Sequence, residues 1–447
     1  MQNRNTLTAE FAEKAKSSLS KTLRSLRIFS ASFAVKLFAL AVILSSCAGG
    51  SKLSNQNLSY IYNPGLEELH PQFKVVNVRD SLSRLFFKID ATELLYTRKQ
   101  GDDVFSANFT ITYQIIPAFE AREVLDSGSF VFEDRVEKIA AKDIISYVDF
   151  DSPRNGKFLV KAAVTDLNRN QIAKVFVDVD HSTTNSRTNF YLKKNGAEYP
   201  LFNQYLDSED YALYHKNKNV KKIMVRYYRI NYPLAPPPFA IVNPKPFEYA
   251  ADSLFTVQAG ETLKLRSEGI YHFQVDSTNY EGFTLFKFAE NFPNVSNAKA
   301  MLEPLRYITT KQEYTDIENS ANLKAGVEAF WLDASETNDR GRELIQKYYS
   351  RVEESNKLFT SYMQGWKTDR GLVYMIFGPP NVLYKTSETE TWVYGEENNV
   401  MSLNFSFSRL INPFSENDYV LNRSTIYKST WFRAVDSWRK GRVYTDN

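Results

Sequence analysis

The stretch GWKTDRGLVYMIFGPP, residues 365–380, is where the chain changes from one kind of structure to another. The segment before it, residues 339–363, carries apolar side chains at helical spacing opposite charged ones, which predicts the longest helix of the chain. Residues 372–377 form an apolar run that we predict as a strand, and the two prolines after it end that strand because proline cannot donate to a ladder. Gly371 permits a close approach of two chain segments.

The first residues of this stretch suit a helix-to-strand corner. Gly365 fits the position after a helix where φ is positive and a Cβ is disfavoured. Trp366 is expected to fold back onto the apolar stripe of the helix, near Tyr362. Thr368 and Asp369 have short oxygen-bearing side chains, which accept hydrogen bonds from backbone amides in turns. The corner is therefore predicted to be structural.

Upstream of the corner, residues 60–185 show the period of two that is typical of half-buried strands. The alternation is clearest at Phe105, Ala107, Phe109, Ile111, Tyr113 and Ile115, at Phe158, Val160, Ala162 and Val164, and at Ala173, Val175, Val177 and Val179. Turn-like residues at 167–171 separate the last two of these strands as in a hairpin. The pattern predicts an antiparallel β-sandwich of immunoglobulin-like type.

A second β-rich domain is predicted over residues 190–290. Its strand candidates are residues 223–229, 254–257, 262–266, 269–276 and 284–288. The proline-rich segment 233–246 interrupts it, and the missing amide donors of proline predict an extended connector.

The third region, residues 291–447, combines helical and strand patterns. Besides the long helix, we predict helices at 294–303 and 322–333 and strands at 391–394 and 401–407. The fold class that follows is multidomain: two β-sandwich modules and then a C-terminal α+β domain. All five tryptophans lie in this last region, which predicts an aromatic core, with a ligand platform as the alternative; they are Trp331, Trp366, Trp392, Trp431 and Trp438.

The N-terminus carries the pattern of an export signal. A basic segment is followed by the apolar run 37–44, which is too short to span a bilayer and has the length of a signal-peptide core. The sequence Leu-Ser-Ser-Cys that ends at Cys47 resembles a bacterial lipobox. The resemblance implies a signal peptide over 1–46, lipid on Cys47 and a flexible tether over 47–59. In lipoproteins that this sequence resembles, acidic residues just after the cysteine are associated with export to the cell surface. None follows Cys47 directly, so the resemblance implies an outer-membrane protein that faces the periplasm.

Charge and residue types exclude several classes of function. The formal net charge is +3, and residues 1–46 carry seven Lys or Arg against two Glu, so the remainder is close to neutral and nucleic acid is not an expected partner. The four histidines are scattered and Cys47 is the single cysteine, which predicts no metal site and no cofactor. Asp369 and Glu390 remain as a candidate carboxylate pair, should the protein be an enzyme.

The motif residues resemble the signature of GWxTD-domain lipoproteins, which are found mostly in Bacteroidetes. The resemblance covers about a third of the chain and rests on several positions. They are Gly365, Trp366, Thr368, Asp369, Arg370, Gly371, Gly378, Pro379, Trp392 and Tyr394. The family's order of lipoprotein signal, β domains and terminal domain is similar to the order here, but the resemblance supplies no biochemical activity.

A weaker resemblance concerns the order of strands and aromatic residues over 365–410. It is similar to the small lipoprotein of the bacterial β-barrel assembly machine, although shared topology does not prove shared function. From these features we expect a non-enzymatic interaction or scaffold subunit in envelope assembly or protein secretion. Its partners would be the membrane, through Cys47, and envelope proteins. The alternatives are an envelope hydrolase that uses Asp369 and Glu390, or a glycan-binding lipoprotein.

Overall fold

The computed structural model describes residues 52–206, 210–230, 232–242, 249–335 and 337–444. Cys47, the predicted signal peptide and the first residues of the predicted tether lie outside these ranges. Within them, no helix combines the length and the apolar character that a membrane span requires.

The first module is a sandwich of seven antiparallel strands. One sheet has the order β1-β2-β5 and the other β4-β3-β6-β7, so the fourth strand joins the second sheet. The strands are β1 (Gln72–Arg79), β2 (Leu82–Asp90), β3 (Phe105–Ile116), β4 (Asp126–Val136), β5 (Asp143–Asp151), β6 (Lys157–Asp166) and β7 (Gln171–Asp180). Inward-facing residues of the alternating strands, such as Phe87, Phe109 and Val160, fill the space between the sheets, which accounts for the period of two in the sequence.

The second module contains a two-stranded and a four-stranded antiparallel sheet. Its strands are β8 (Phe190–Lys194), β9 (Tyr211–His215), β10 (Lys222–Tyr228), β11 (Ser253–Gln258), β12 (Gly269–Gln274) and β13 (Phe283–Lys287). The four-stranded sheet has the order β11-β10-β12-β13. Residues 262–266, predicted as a strand, contribute a single isolated bridge at Thr262 and two buried leucines instead.

The C-terminal region is α+β. Its helices are α1 (Ala298–Leu302), α2 (Lys311–Glu318), α3 (Leu323–Asp333), α4 (Asn338–Phe359), α5 (Asp369–Phe377) and α6 (Lys428–Arg439). Its strands β14 (Val382–Lys385), β15 (Thr389–Tyr394), β16 (Leu403–Arg409) and β17 (Tyr419–Leu421) form one antiparallel sheet in chain order. All five tryptophans of the sequence are buried in this region. The predicted fold class, β-sandwich modules followed by an α+β domain, is confirmed.

The predicted strand at 372–377 is wrong, because these residues belong to helix α5. Every residue of α5 is buried, so the helix has no polar face and its sequence shows no helical period. The helix begins after Thr368, whose hydroxyl accepts a hydrogen bond from the amide of Gly371 at 3.0 Å. It ends at Gly378, which has a φ of 87°. The long helix α4 stops at Phe359, four residues earlier than predicted.

The chain from residue 52 onward is packed against the rest of the protein, so the predicted flexible tether over 47–59 is wrong for residues 52–59. We call residues 52–66 the N-terminal strap. The Ser54 amide donates to the Phe119 carbonyl at 3.0 Å, and the Leu58 amide donates to the Leu383 carbonyl at 2.8 Å. Three strap side chains are buried in the largest core, which is mainly that of the C-terminal region: Leu53, Leu58 and Tyr62. Three apolar anchors among polar residues therefore hold the strap against strand β14.

Candidate functional site

Two glycines of the signature allow backbone segments to touch. A Cβ on Gly365 would lie 1.8 Å from the carbonyl oxygen of Ser355 in helix α4. A Cβ on Gly371 would lie 2.0 Å from the carbonyl oxygen of Gly365. The predicted close approach at Gly371 is thus present. The predicted positive φ at Gly365 is wrong, because this glycine does not follow α4 directly and is needed for contact with that helix.

Side chains from other elements bind the C-terminal end of helix α5. The guanidinium of Arg351, on α4, donates to the carbonyls of Met375 and Ile376 at 3.1 Å each. The Tyr394 hydroxyl donates to the Gly378 carbonyl at 2.7 Å. These bonds satisfy carbonyls that a helix C-terminus otherwise leaves unpaired. Gly378 and Tyr394, two of the signature positions, therefore act on the same helix end, just before Pro379.

Glu390 is the centre of a buried charge cluster. Its side chain is fully buried, and it accepts hydrogen bonds from Arg370 at 3.0 Å and from Lys385 at 2.5 Å. The Tyr62 hydroxyl donates to it at 2.8 Å and the Trp392 indole at 3.2 Å. Burial alone would raise the pKa of this carboxyl, but the charges of Lys385 and Arg370 outweigh that effect and lower the pKa to about 2.

Tyr62 connects the N-terminal strap to this cluster. Its hydroxyl accepts a hydrogen bond from Arg370 at 3.0 Å while it donates to Glu390. Its carbonyl accepts a bond from the Tyr374 hydroxyl of helix α5 at 3.1 Å. Its ring packs against the rings of Phe359 and Trp392, at centroid distances of 4.9 and 5.3 Å. The strap therefore supplies one hydrogen-bonding group that the C-terminal residues cannot provide.

Asp369 forms a second charge pair. Its carboxylate binds the guanidinium of Arg423, with one N–O distance of 2.9 Å, and accepts the Leu421 amide at 2.7 Å. Arg423 also donates to the carbonyl of Pro236 at 3.1 Å. The amide of Ala235 donates to the Lys367 carbonyl at 3.2 Å. The predicted proline-rich connector is therefore docked on the corner over the part that the structure describes.

Two further buried side chains near the corner make structural contacts, Trp366 of the signature and Asp418. Trp366 is buried, its ring meets the edge of the Tyr307 ring at 6.1 Å, and its indole donates to Gln364 at 2.8 Å. Asp418 lies buried near Arg370, and burial raises the pKa of its carboxyl to about 7. Asn412 donates to that carboxyl at 2.8 Å.

The structure gives the two candidate catalytic carboxylates separate cationic partners. Asp369 is bound by Arg423, and Glu390 is bound by Arg370 and Lys385. Two carboxylates that act as acid and base need different protonation at working pH, whereas the lowered pKa of Glu390 keeps it ionised. In the part of the chain that the structure describes, no group of three or more His, Cys, Asp or Glu side chains is placed to hold a metal ion.

Sequence reasoning missed four residues of this site: Tyr62, Arg351, Lys385 and Arg423. Lys385 could have been found, because it lies directly opposite Glu390 across the β14–β15 hairpin. The other three come from distant parts of the chain and carry no local signal.

Replacement of Tyr62 by Phe tests whether the strap stabilises the C-terminal region through the Tyr62 hydroxyl. The change leaves the ring in place and removes the hydroxyl between Glu390 and Arg370. We expect a loss of about 1–3 kcal/mol in unfolding free energy, since a bond to a buried charged group is lost. Urea unfolding followed by tryptophan fluorescence measures it. Tyr60→Phe is the matched control and should change stability by less than about 0.5 kcal/mol; equal effects of the two changes would contradict the role assigned to Tyr62.

Comparison with known families agrees with this geometry. The family model described as the GWxTD domain matches residues 269–440. The match begins at strand β12 of the second module and includes the corner and the residues of the Glu390 cluster other than Tyr62. The chain therefore contains a GWxTD domain, as the resemblance predicted. No curated protein matches the chain.

Proposed function

We propose that this GWxTD-domain protein is a lipid-anchored, non-enzymatic scaffold subunit of the outer membrane that binds other envelope proteins in cell-envelope assembly or protein secretion. One observation carries the proposal: the two candidate carboxylates, Asp369 and Glu390, are buried and each is paired with Arg or Lys. Buried carboxylates that bind cations from other parts of the chain hold those parts together. The lipobox-like sequence that ends at Cys47 supports the lipid anchor, and the lack of an acidic residue directly after Cys47 supports the periplasmic location.

Strand β4 is the surface that best suits a partner strand. It is an 11-residue edge strand, paired with β3 and placed at the end of its sheet order. Residues 127–132 carry no charge, whereas edge strands that avoid pairing usually carry charges or prolines. Val131 is 71% exposed on the outer face. A partner that adds an extended strand here would gain main-chain hydrogen bonds along β4.

Purification from native membranes tests the proposal. The full-length protein is tagged at its C-terminus, the outer membrane is solubilised gently, and co-purifying proteins are identified by mass spectrometry. We expect an envelope protein in stoichiometric amount. A monomer without partners in several detergents, with lipid on Cys47, would contradict the scaffold function.

Val131→Lys is expected to reduce recovery of that partner at least tenfold, because a charge at the centre of β4 opposes strand addition. The side chain is exposed, so stability should change by less than about 0.5 kcal/mol. Ile426→Lys, at a site that is 74% exposed in the C-terminal region, is the matched control and should leave recovery unchanged. Equal recovery with both variants would place the contact elsewhere.

A further inference from the structure

A cleft lies where the three regions of the chain meet. Its volume is about 370 Å³, within the range of pockets that take small ligands. The first sandwich contributes Lys157 and Asp178, and the second module contributes Arg187 and the loop around Glu281. The C-terminal region contributes the 409–416 loop. Clefts between domains are common places for ligand sites, because residues from separate segments converge there.

The cations of this cleft already have acidic partners. Lys157 lies 3.3 Å from Glu281 and 3.6 Å from Asp180. Arg187 and Arg409 both bind Glu416. A ligand that carries a negative charge would have to displace one of these internal pairs.

Asp178 is the carboxylate of the cleft that is not paired with one of these cations. It is exposed to the cleft and has no side-chain hydrogen bond or ion pair with any residue that the structure describes. Desolvation by the surrounding protein raises the pKa of its carboxyl, and the negative charge of Glu416 adds to this rise. The positive charges of Arg409, Lys385 and Arg187 oppose it only in part. A cation bound beside Asp178 would favour its ionised form.

An aromatic pair at the cleft provides a second feature that suits a cation on an apolar stem. The rings of Tyr249 and Tyr280 are stacked with centroids 4.5 Å apart, and Tyr280 is 60% exposed. Both tyrosines line the cleft. Exposed tyrosine faces attract ammonium groups and pack against methylene chains.

We propose that this cleft binds a primary ammonium group on an aliphatic stem, with the ammonium on Asp178 and the stem along Tyr280. A lysine side chain in a polypeptide and a free alkylamine share this chemistry. The assignment is independent of the scaffold function, since it rests on the cleft residues and not on strand β4.

Isothermal titration of the detergent-solubilised full-length protein tests the proposal. The probes are the blocked tripeptide Ala-Lys-Ala, its norleucine analogue, which keeps the stem and removes the charge, and n-butylamine. We expect the lysine peptide or butylamine to bind at least about tenfold more tightly than the norleucine peptide. Only the amines can form a charge-assisted hydrogen bond with Asp178, and such a bond accounts for a difference of this size. Stronger binding of the peptide identifies a polypeptide source, and stronger binding of butylamine identifies a free amine.

Asp178→Asn should weaken binding of the amine probe about tenfold or more. Asp103→Asn, at an exposed site of the same module, is the matched control and should leave the affinity unchanged. Binding of the norleucine peptide equal to that of the lysine peptide, unchanged affinity in Asp178→Asn, or no binding of either amine would overturn the proposal.

Discussion

Replacement of Gly365 by Ala is expected to prevent the C-terminal region from folding. The new Cβ would lie 1.8 Å from the carbonyl oxygen of Ser355 and 2.8 Å from the Cα of Asn356, and both atoms belong to the backbone of helix α4. Backbone cannot move aside as a side chain can, so the corner and α4 must separate. We expect a loss of more than about 4 kcal/mol, at the extreme of single substitutions.

Tryptophan fluorescence reports on this region alone, because the five tryptophans of the sequence lie between residues 331 and 438. Gly341→Ala is the control within helix α4. The nearest atoms to its new Cβ are side-chain atoms of Ser335 and Leu332, and alanine favours helix, so stability should stay within about 1 kcal/mol of the parent protein. A cooperative transition of Gly365→Ala at the parent midpoint would contradict the close contact.

The second large effect is expected for Glu390→Gln. The amide keeps the shape of the side chain and removes the charge that Arg370 and Lys385 share in a buried site. Removal of the charged partner of a buried cation lowers the unfolding free energy by about 3–5 kcal/mol. Glu388→Gln, two residues away on the same hairpin and exposed, is the matched control and should change stability by less than about 0.5 kcal/mol.

The loss of unfolding free energy in Glu390→Gln should depend on pH. The folded pKa of Glu390 is lowered to about 2 from 4.5. A lowered folded pKa gives stability that is present above pH 4.5 and is lost as the pH falls towards 2. The difference between parent and variant, measured by urea unfolding, should therefore be smaller at pH 3 than at pH 7. A difference that is constant with pH would mean that the carboxylate charge is not what stabilises the cluster.

The two β regions and the long helix could be predicted because their patterns are local. Strand β3 alternates apolar and polar residues along its whole length, and helix α4 has one apolar stripe. Helix α5 could not be assigned by period, because packing on every side removes the polar face on which the method depends. Its boundaries did carry a signal, since Thr368 and Asp369 are typical of a helix start and Gly378 of a helix end.

The sequence predicted which residues form the candidate site, but not the residues to which they bind. The signature residues do meet at one corner, and Gly371 does allow a close approach. The partners of Arg370 include Tyr62 of the strap, 308 residues earlier in the chain, Glu390 of strand β15 and Asn417. Such pairs are set by the tertiary fold, which no local pattern encodes. The polar sequence of residues 52–59 predicted a tether for the same reason, because its few apolar anchors are recognisable only beside the surface that they contact.

Thermal unfolding of Asp369→Asn tests the central claim most directly, namely that the buried carboxylates Asp369 and Glu390 hold the corner together. The variant keeps the size of the side chain and removes the charge that Arg423 binds. We predict a loss of about 2 kcal/mol or more in unfolding free energy, observed as a lower midpoint of the tryptophan transition, because the Arg423 side chain, which is 7% exposed, loses its carboxylate partner. An unchanged midpoint would contradict this claim.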